Sequence, residues 1–408
     1  MTLSTQENTA TPAPGASSSR RPAISRRKVI VGSGAGLLVL LSGGIIWRAV
    51  DQGVFSTGEG PAYEPWEQWH TATKGPLDLV RAAILAANPH DSQPWLFRVR
   101  KTQLDLFADH QRNLGHIDPL LREMHIGLGC ALENLLLAAA TNGYATQVTL
   151  LPDPADATAV ARIELAPGAT NVTDLYQAIA RRHTNRYPYD STRPVATATL
   201  DALHALNDDT DVTVFWFTSS DERKRVADLM VAAAKALVAD KVQNEDSARW
   251  MRNNWQEVQQ HRSGITLDVQ GLSDLQRAFG KILPSLPQDQ QDDFFIQNTE
   301  QQARSAGVLG LLAVRQSHDN AQRMRAGRLW QRMHLWATVH GLAMQPMNQI
   351  AERADRETTQ GIPPRFGDAL KTLIGSSSWE PLMPFRLGYP THEALRSPRR
   401  ALHDVLRT

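Results

Sequence analysis

Residues 125–145 read HIGLGCALENLLLAAATNGYA, and residues 323–343 read RMRAGRLWQRMHLWATVHGLA. Laid over one another at a constant offset of 198, without a gap, Gly129 falls on Gly327, Leu137 on Leu335, Ala139 on Ala337 and Gly143 on Gly341. In each copy the apolar residues recur at helical spacing, and the closing glycine suits a helix C-cap. Amphipathic helices in general share the spacing; the common entry glycine and the common Gly-apolar-Ala exit mark a repeat. The period is far too long for a solenoid. It implies two domain-sized halves, residues 76–170 and 171–408, as two tandem imperfect copies in an intrachain pseudo-dimer. Such an interface is self-complementary, in the manner of a twofold homodimer.

Outward from the repeat, spacing predicts helices over 77–87, 125–143, 172–183, 221–242, 246–260 and 321–341. Alternation and apolar runs predict strands over 95–100, 103–108, 146–151, 160–165, 212–218, 306–315 and 383–389. Helices and strands mix without strict βα alternation, which points to an α+β fold. The polar stretch 261–303, with Gly264, Gly271, Pro284 and Pro287, is too long for a simple connection and is expected as a lid insertion.

The bulk composition agrees with a packed protein. The 408 residues suffice for two cores, and 42% are hydrophobic against 21% charged. A net charge of +1 gives no argument for a nucleic-acid surface. The lone Cys130 excludes an intrachain disulfide and, inside an apolar helical pattern, reads as a small buried hydrophobe. The 13 histidines are scattered without metal-ligand spacing, so no metal is expected.

Three further stretches carry chemistry. Residues 84–97 read ILAANPHDSQPWLF, residues 181–190 read RRHTNRYPYD, and residues 385–400 read FRLGYPTHEALRSPRR. Alone, the first is a helix ending before a proline and a turn into an edge strand. The second is a basic helix end complementing its own dipole, or an anion site. Two guanidiniums and a hydroxyl, from Arg182, Arg186 and Thr184, suit a phosphate. The third is a basic tail, or a further anion contact.

In this order, and together with the repeated helix, the three stretches resemble the nitroreductase superfamily, most nearly its double-length, Acg-like FMN-binding branch. The resemblance covers most of residues 76–402. It implies that FMN is the cofactor and that Pro89, His90, Asp91, Gln93 and Trp95 belong to a loop along the flavin ring. Ala87, Asn88 and Asp91 depart from the family pattern. Asp91 stands for an asparagine; a carboxylate only accepts hydrogen bonds, so it could take the flavin N3–H and would repel an anionic reduced flavin. The resemblance assigns Arg182 and Thr184 to the phosphate, and Arg186 to the phosphate or the pyrimidine edge. Arg399 and Arg400 are assigned to the phosphate as well. The first copy lacks the Arg-rich loop and the second lacks the Pro-rich loop, so one complete flavin site and one degenerate site are expected. The implied activity is an FMN-dependent oxidoreductase passing hydride or electrons to a small-molecule electron acceptor such as a nitro compound or quinone. The electron donor is not legible. The alternative is an FMN-sequestering protein with a lid over the flavin.

Residues 1–24 are rich in Thr, Ala, Pro and Ser and are expected to be disordered. Residues 25–50 open on Ser25-Arg26-Arg27-Lys28-Val29-Ile30 and continue as an apolar, glycine-containing run to Trp47. This resembles a twin-arginine (Tat) signal, implying the Tat translocase as a partner and periplasmic or extracytoplasmic export. The alternative is a membrane anchor over residues 29–47. Residues 51–75 read as a linker.

Overall fold

The computed structural model describes residue 2 and residues 43–70 and 75–407. The expected disordered segment 1–24 and most of the expected signal lie outside the described residues, apart from residue 2 and residues 43–50.

Two four-stranded antiparallel sheets form the frame. The first contains β1 (Trp95–Val99), β2 (Gln103–Ala108), β3 (Tyr144–Leu150) and β4 (Ala159–Pro167), in the order β1-β2-β4-β3. The second contains β5 (Val212–Phe217), β6 (Val308–Val314), β7 (Ala343–Pro346) and β8 (Glu380–Gly388), in the order β5-β6-β8-β7. Each sheet is thus threaded first, second, fourth, third. In each, a 20-residue helix joins the second strand to the third: Arg122–Thr141 and Asn320–Val339. The bounds of these helices differ by the same offset of 198 that relates the sequences.

Local chemistry sets both helices. The Asp118 carboxylate accepts from the N–H groups of Glu123 and Met124 at 3.0 and 2.9 Å. Asp319 caps the second helix through Ala321 and Gln322 at 2.7 and 3.3 Å. These bonds satisfy donors that a helix start leaves open. Both helices end before a glycine with positive φ, Gly143 at 78° and Gly341 at 70°, the conformation that Gly tolerates without cost.

The helices cross reciprocally. A Cβ built on Gly129 would overlap the Met324 carbonyl oxygen, and one built on Gly327 would overlap the Ile126 carbonyl oxygen. Ile126 and Met324 are themselves related by the offset of 198. Bare backbone on each helix thus seats the other, and Cys130 Sγ donates to Gly327 O at 3.3 Å. A buried amide relay runs alongside: Gln331 donates to Asn134 at 2.8 Å, and Asn134 donates to Ala82 O at 2.9 Å. One hydrophobic core spans both sheets and both helices, including Ile163 of β4, Phe385 of β8, Leu132 and Met333. Burial of such side chains contributes on the order of 1.5–3 kcal/mol each.

The second half carries an insertion between its first two strands, residues 218–307. It holds helices Ser220–Ala239, Lys241–Ala248, Trp255–His261, Asp274–Ile282 and Gln288–Arg304. The helix expected over 246–260 is split there by a two-residue parallel pairing of Met251–Arg252 with Ile265–Thr266. Asn254 restarts the helix by accepting from Glu257 N at 2.9 Å. The tail of the second half returns to the first sheet, where Arg407 N donates to Phe97 O at 2.7 Å. The stretch 51–75, expected as a linker, places Ala62, Tyr63 and Trp66 in the core, because its aromatic rings bury apolar area that a linker would leave in water.

The expected membrane contact through the N-terminal segment is corrected. Among the described residues, the helix long and apolar enough to cross a membrane is the internal Arg122–Thr141, with 78% of its most apolar stretch buried inside the protein. Of the expected anchor over residues 29–47, residues 43–47 are described, within the helix Gly43–Asp51, and the rest lies outside the described residues.

Candidate functional site

The loop from Asn88 to Gln93 has unusual backbone. His90, Asp91 and Gln93 have φ of 49°, 51° and 53°, a left-handed conformation that costs a non-glycine residue on the order of 1 kcal/mol or more. Its neighbours hold it there. Asn88 Oδ1 accepts from Gln93 N at 2.8 Å, Asp91 O accepts from Gly264 N at 3.1 Å, and Arg399 donates to the Asp91 carboxylate. Gly127 leaves the long helix bare beneath the loop, since a Cβ there would stand 2.9 Å from Pro89 Cδ.

Two adjoining cavities open along this loop. The larger, about 190 Å³, is lined by Asn88, Pro89, His90, Thr184 and Arg186 together with residues of both long helices and the insertion. The smaller is lined by Asp91, Arg182, Thr184, Arg186, Ser397 and Arg399. The structure therefore brings together seven residues singled out in the sequence: Pro89, His90, Asp91, Arg182, Thr184, Arg186 and Arg399.

Gln93, Trp95 and Arg400 stand behind these walls. Gln93 accepts from Arg400 N at 2.7 Å and donates to Arg262 O at 2.8 Å. Trp95 is fully buried in the core. The Arg400 guanidinium is spent on the carbonyls of Gln93, Trp95 and Asp404. The polar groups of Gln93 and Arg400 brace the loop, and none of the three residues lines either cavity. Arg386, from the third basic stretch, is likewise structural. It is fully buried, lies with its guanidinium 3.8 Å over the Tyr189 ring, and donates to the carbonyls of Asn185 and Tyr187 at 3.1 and 2.9 Å. It thereby fixes the loop that follows Thr184.

The smaller cavity is electropositive. Three guanidiniums, those of Arg182, Arg186 and Arg399, line it with one carboxylate, Asp91. Burial pushes Arg182 down to about 9, helped by repulsion from Arg399. Burial likewise lowers Arg186 and Arg399, with Asp91 opposing in both. Burial raises Asp91 to about 6 against the pull of Arg399 and the bonds from Asn88 and Gln93. Arg182 Nε and Arg399 Nε are buried donors without a partner among the described residues. Unpaired, desolvated cationic donors cost free energy that an anion recovers. His90 and His334 are both held neutral by burial, His90 down to about 4.

Sequence reasoning missed two wall residues, Glu123 and Glu352, and the support that Trp66 gives Arg399 from behind the wall. Trp66 donates to Ser397 O at 2.8 Å, and its ring lies 4.7 Å from the Arg399 guanidinium. Glu123 and Glu352 line the larger cavity; only the tertiary fold unites them. Among the described residues, no group of three or more His, Cys, Asp or Glu side chains converges as a metal site.

No family model matches the chain. It is 28% identical over 334 residues to a protein of Mycobacterium tuberculosis provisionally named NAD(P)H nitroreductase Rv3131, a match covering 80% of this chain and 90% of that protein. An uncharacterized protein of the same organism, Rv3127, is 27% identical over 345 residues, covering 81% and 92%. Among solved structures, the FMN-dependent nitroreductase NfnB of Mycobacterium smegmatis in complex with NADPH aligns with TM-score 0.37 at 18% identity, covering 57% of this chain and 99% of NfnB. Each of the two curated matches extends over about four fifths of this chain.

Proposed function

We propose that the protein binds one FMN between the 88–93 loop, the 182–186 loop and Arg399, and acts as an FMN-dependent oxidoreductase on a small acceptor such as a nitro compound or quinone. The observation that carries this reading is the buried excess of guanidiniums over carboxylate, with Arg182 Nε and Arg399 Nε unpaired. Arg182, Thr184 and Arg399 would hold the phosphate, and Asn88, Pro89, His90 and Arg186 would lie along the ring system. The bound flavin would supply hydride and electron transfer; the protein orients it, shields it from water and sets the charge around it. The reciprocal helix crossing and the matching threading of the two sheets support a tandem pseudo-dimer with one complete site.

A second reading, FMN sequestration, is favoured by one feature. The insertion supplies Ser247, Met251, Ile265 and Phe295 to the cavity wall and is latched to both loops through Gly264, and through Val269 O, which accepts from Arg186 at 3.3 Å. An absorbance spectrum of the purified protein followed by anaerobic titration with NADPH separates the readings. About one flavin per chain, bleached by NADPH, is expected for the oxidoreductase. Bound flavin that resists reduction favours sequestration, and protein unable to take up FMN rejects both.

The Asp91 carboxylate gives a pH test. As pH falls through about 6, Asp91 gains a proton, Arg399 loses its counter-charge, and anion binding strengthens. Asp91→Asn mimics the protonated form, so it should bind FMN about tenfold more tightly than the unsubstituted protein above pH ~7. The two affinities should converge below about pH 6. Because the phosphate's own titration is common to both proteins, only their difference reports Asp91. Coincident affinities at every pH would remove Asp91 from the site.

A further inference from the structure

Glu123 stands in the first turn of the Arg122–Thr141 helix, and Glu352 in the first turn of Gln349–Gln360. Both line the larger cavity and are only 3% and 5% exposed. Glu123 is one turn, about 6 Å, from Gly127 along the same helix face, and Gly127 abuts Pro89. Lining the same cavity wall, the two carboxyls act on one another's titration, and the charge of Glu352 raises Glu123. Two carboxylates buried in one site do not both ionise readily, so the pair holds a proton.

The surroundings keep that proton in place. Arg122 gives its short bond, 2.7 Å, to Asp355 and only a 3.4 Å contact to Glu123. The Asp118 oxygens are taken by backbone N–H groups. Arg323 lies further off, bonded to the Ser317 and Leu120 carbonyls. On the Glu352 helix, Arg353 and Arg356 pair with Asp240. Asp118, Glu123, Glu352 and Asp355 thus share Arg122, with Arg323 the next cation. Burial and the other acidic groups raise Glu123, and raise Glu352 to about 7, against the pull of Arg122. On the same wall, Asn348 Oδ1 and Gln349 Oε1 are buried acceptors without a partner among the described residues. They call for a ligand that carries donors, as a hydroquinone does.

We propose that the Glu123–Glu352 pair is the proton donor to an acceptor bound in the larger cavity, of the quinone class, whose oxygen becomes anionic on reduction. The inference rests on the flavin reading above. A quinone that has taken a hydride equivalent from a bound reduced-flavin anion, which would be left as neutral oxidised flavin, carries one new bond to hydrogen and one anionic oxygen. That oxygen takes the shared proton. An O–H bond forms, the carboxyl O–H bond breaks, and its electron pair stays on the glutamate. The dicarboxylate regains a proton from water.

The test uses the full chain, Glu352→Gln, Glu123→Gln and the double substitution. Flavin content should be unchanged in all three. The infrared carbonyl band of a protonated carboxylic acid should be present at neutral pH in the unsubstituted protein and lost in the double variant. Reoxidation of the photoreduced flavin by a benzoquinone should slow on the order of 100-fold in either single variant, while photoreduction itself is unaffected. The alkaline decline of reoxidation, centred near 7 in the unsubstituted protein, should flatten in Glu352→Gln. Bound flavin without the carboxylic-acid band overturns the proposal, as does an unaltered reoxidation rate. A protein that binds no flavin overturns the underlying reading and this proposal with it, and flavin content tells the two failures apart. If Glu352→Gln fails to fold, Glu123→Gln and the pH profile of the unsubstituted protein still decide.

Discussion

Gly327→Ala is expected to lower the unfolding free energy by about 3 kcal/mol or more. The added Cβ would overlap the Ile126 carbonyl oxygen, which belongs to the backbone of a fully formed helix and has no rotamer to escape into. Relief requires the helices Arg122–Thr141 and Asn320–Val339 to separate, and the core that spans both sheets would lose contacts with them. Gly129→Ala should behave alike, because the Met324 carbonyl oxygen stands in its way. A control isolates the steric cause. Gly367 lies within the Arg365–Ile374 helix, and a Cβ there would meet its nearest atoms at 3.6 and 3.9 Å, ordinary contact. Gly367→Ala should therefore stabilise by up to about 1 kcal/mol through helix propensity. Urea midpoints and melting temperatures of the three variants check the set; equal effects at 327 and 367 would refute the close crossing.

Arg182→Ala is expected to weaken FMN binding by roughly 1.5–3 kcal/mol, the range for a hydrogen bond to a charged group. Arg182 is 2% exposed, donates to Leu85 O at 3.1 Å, and keeps Nε unpaired. The backbone gives it this aim. The helix expected over 172–183 stops at Gln177, and a short 3₁₀ turn over Ile179–Arg181 hands Arg182 an extended ψ of 111°. Flavin fluorescence quenching measures the affinity. Because truncating a buried side chain also leaves a void, the same variant should be checked for stability without flavin. Loss of affinity well beyond any loss of stability assigns the effect to the ligand, and unchanged affinity would count against the site.

The sequence made the frame legible because its constraints are local. Glycines at 129, 143, 327 and 341 record where a Cβ would clash or a helix must end, so the repeat carries the crossing in plain text. The long strands follow from alternation and apolar runs, and their observed bounds fall within a few residues of expectation. The loops at 88–93 and 182–186 were legible by residue type alone, while the division between wall and support was not. Gln93, Trp95 and Arg400 share the motif with Pro89 and Arg399, and only the fold shows that Arg400 spends its guanidinium on backbone carbonyls and Gln93 its amide on backbone and on Asp91. The polar stretch 261–303 hid two helices, although Ser273 and Gln276 form a capping box that marks a helix start. Glu123 and Glu352 gave no signal, since their pairing depends on how two distant helix starts meet.

The crossing at Gly129 and Gly327 is made within one polypeptide, so dilution does not act on it. Two separate chains sharing such a contact would assemble according to their concentration. Here the connecting chain sets a fixed effective concentration of one helix for the other. A substitution that weakens the crossing therefore appears as lost stability and never as dissociation. In a symmetric dimer every change is made twice and must suit both places. In this chain each side of the contact can change alone, and the insertion over 218–307 burdens only one of them.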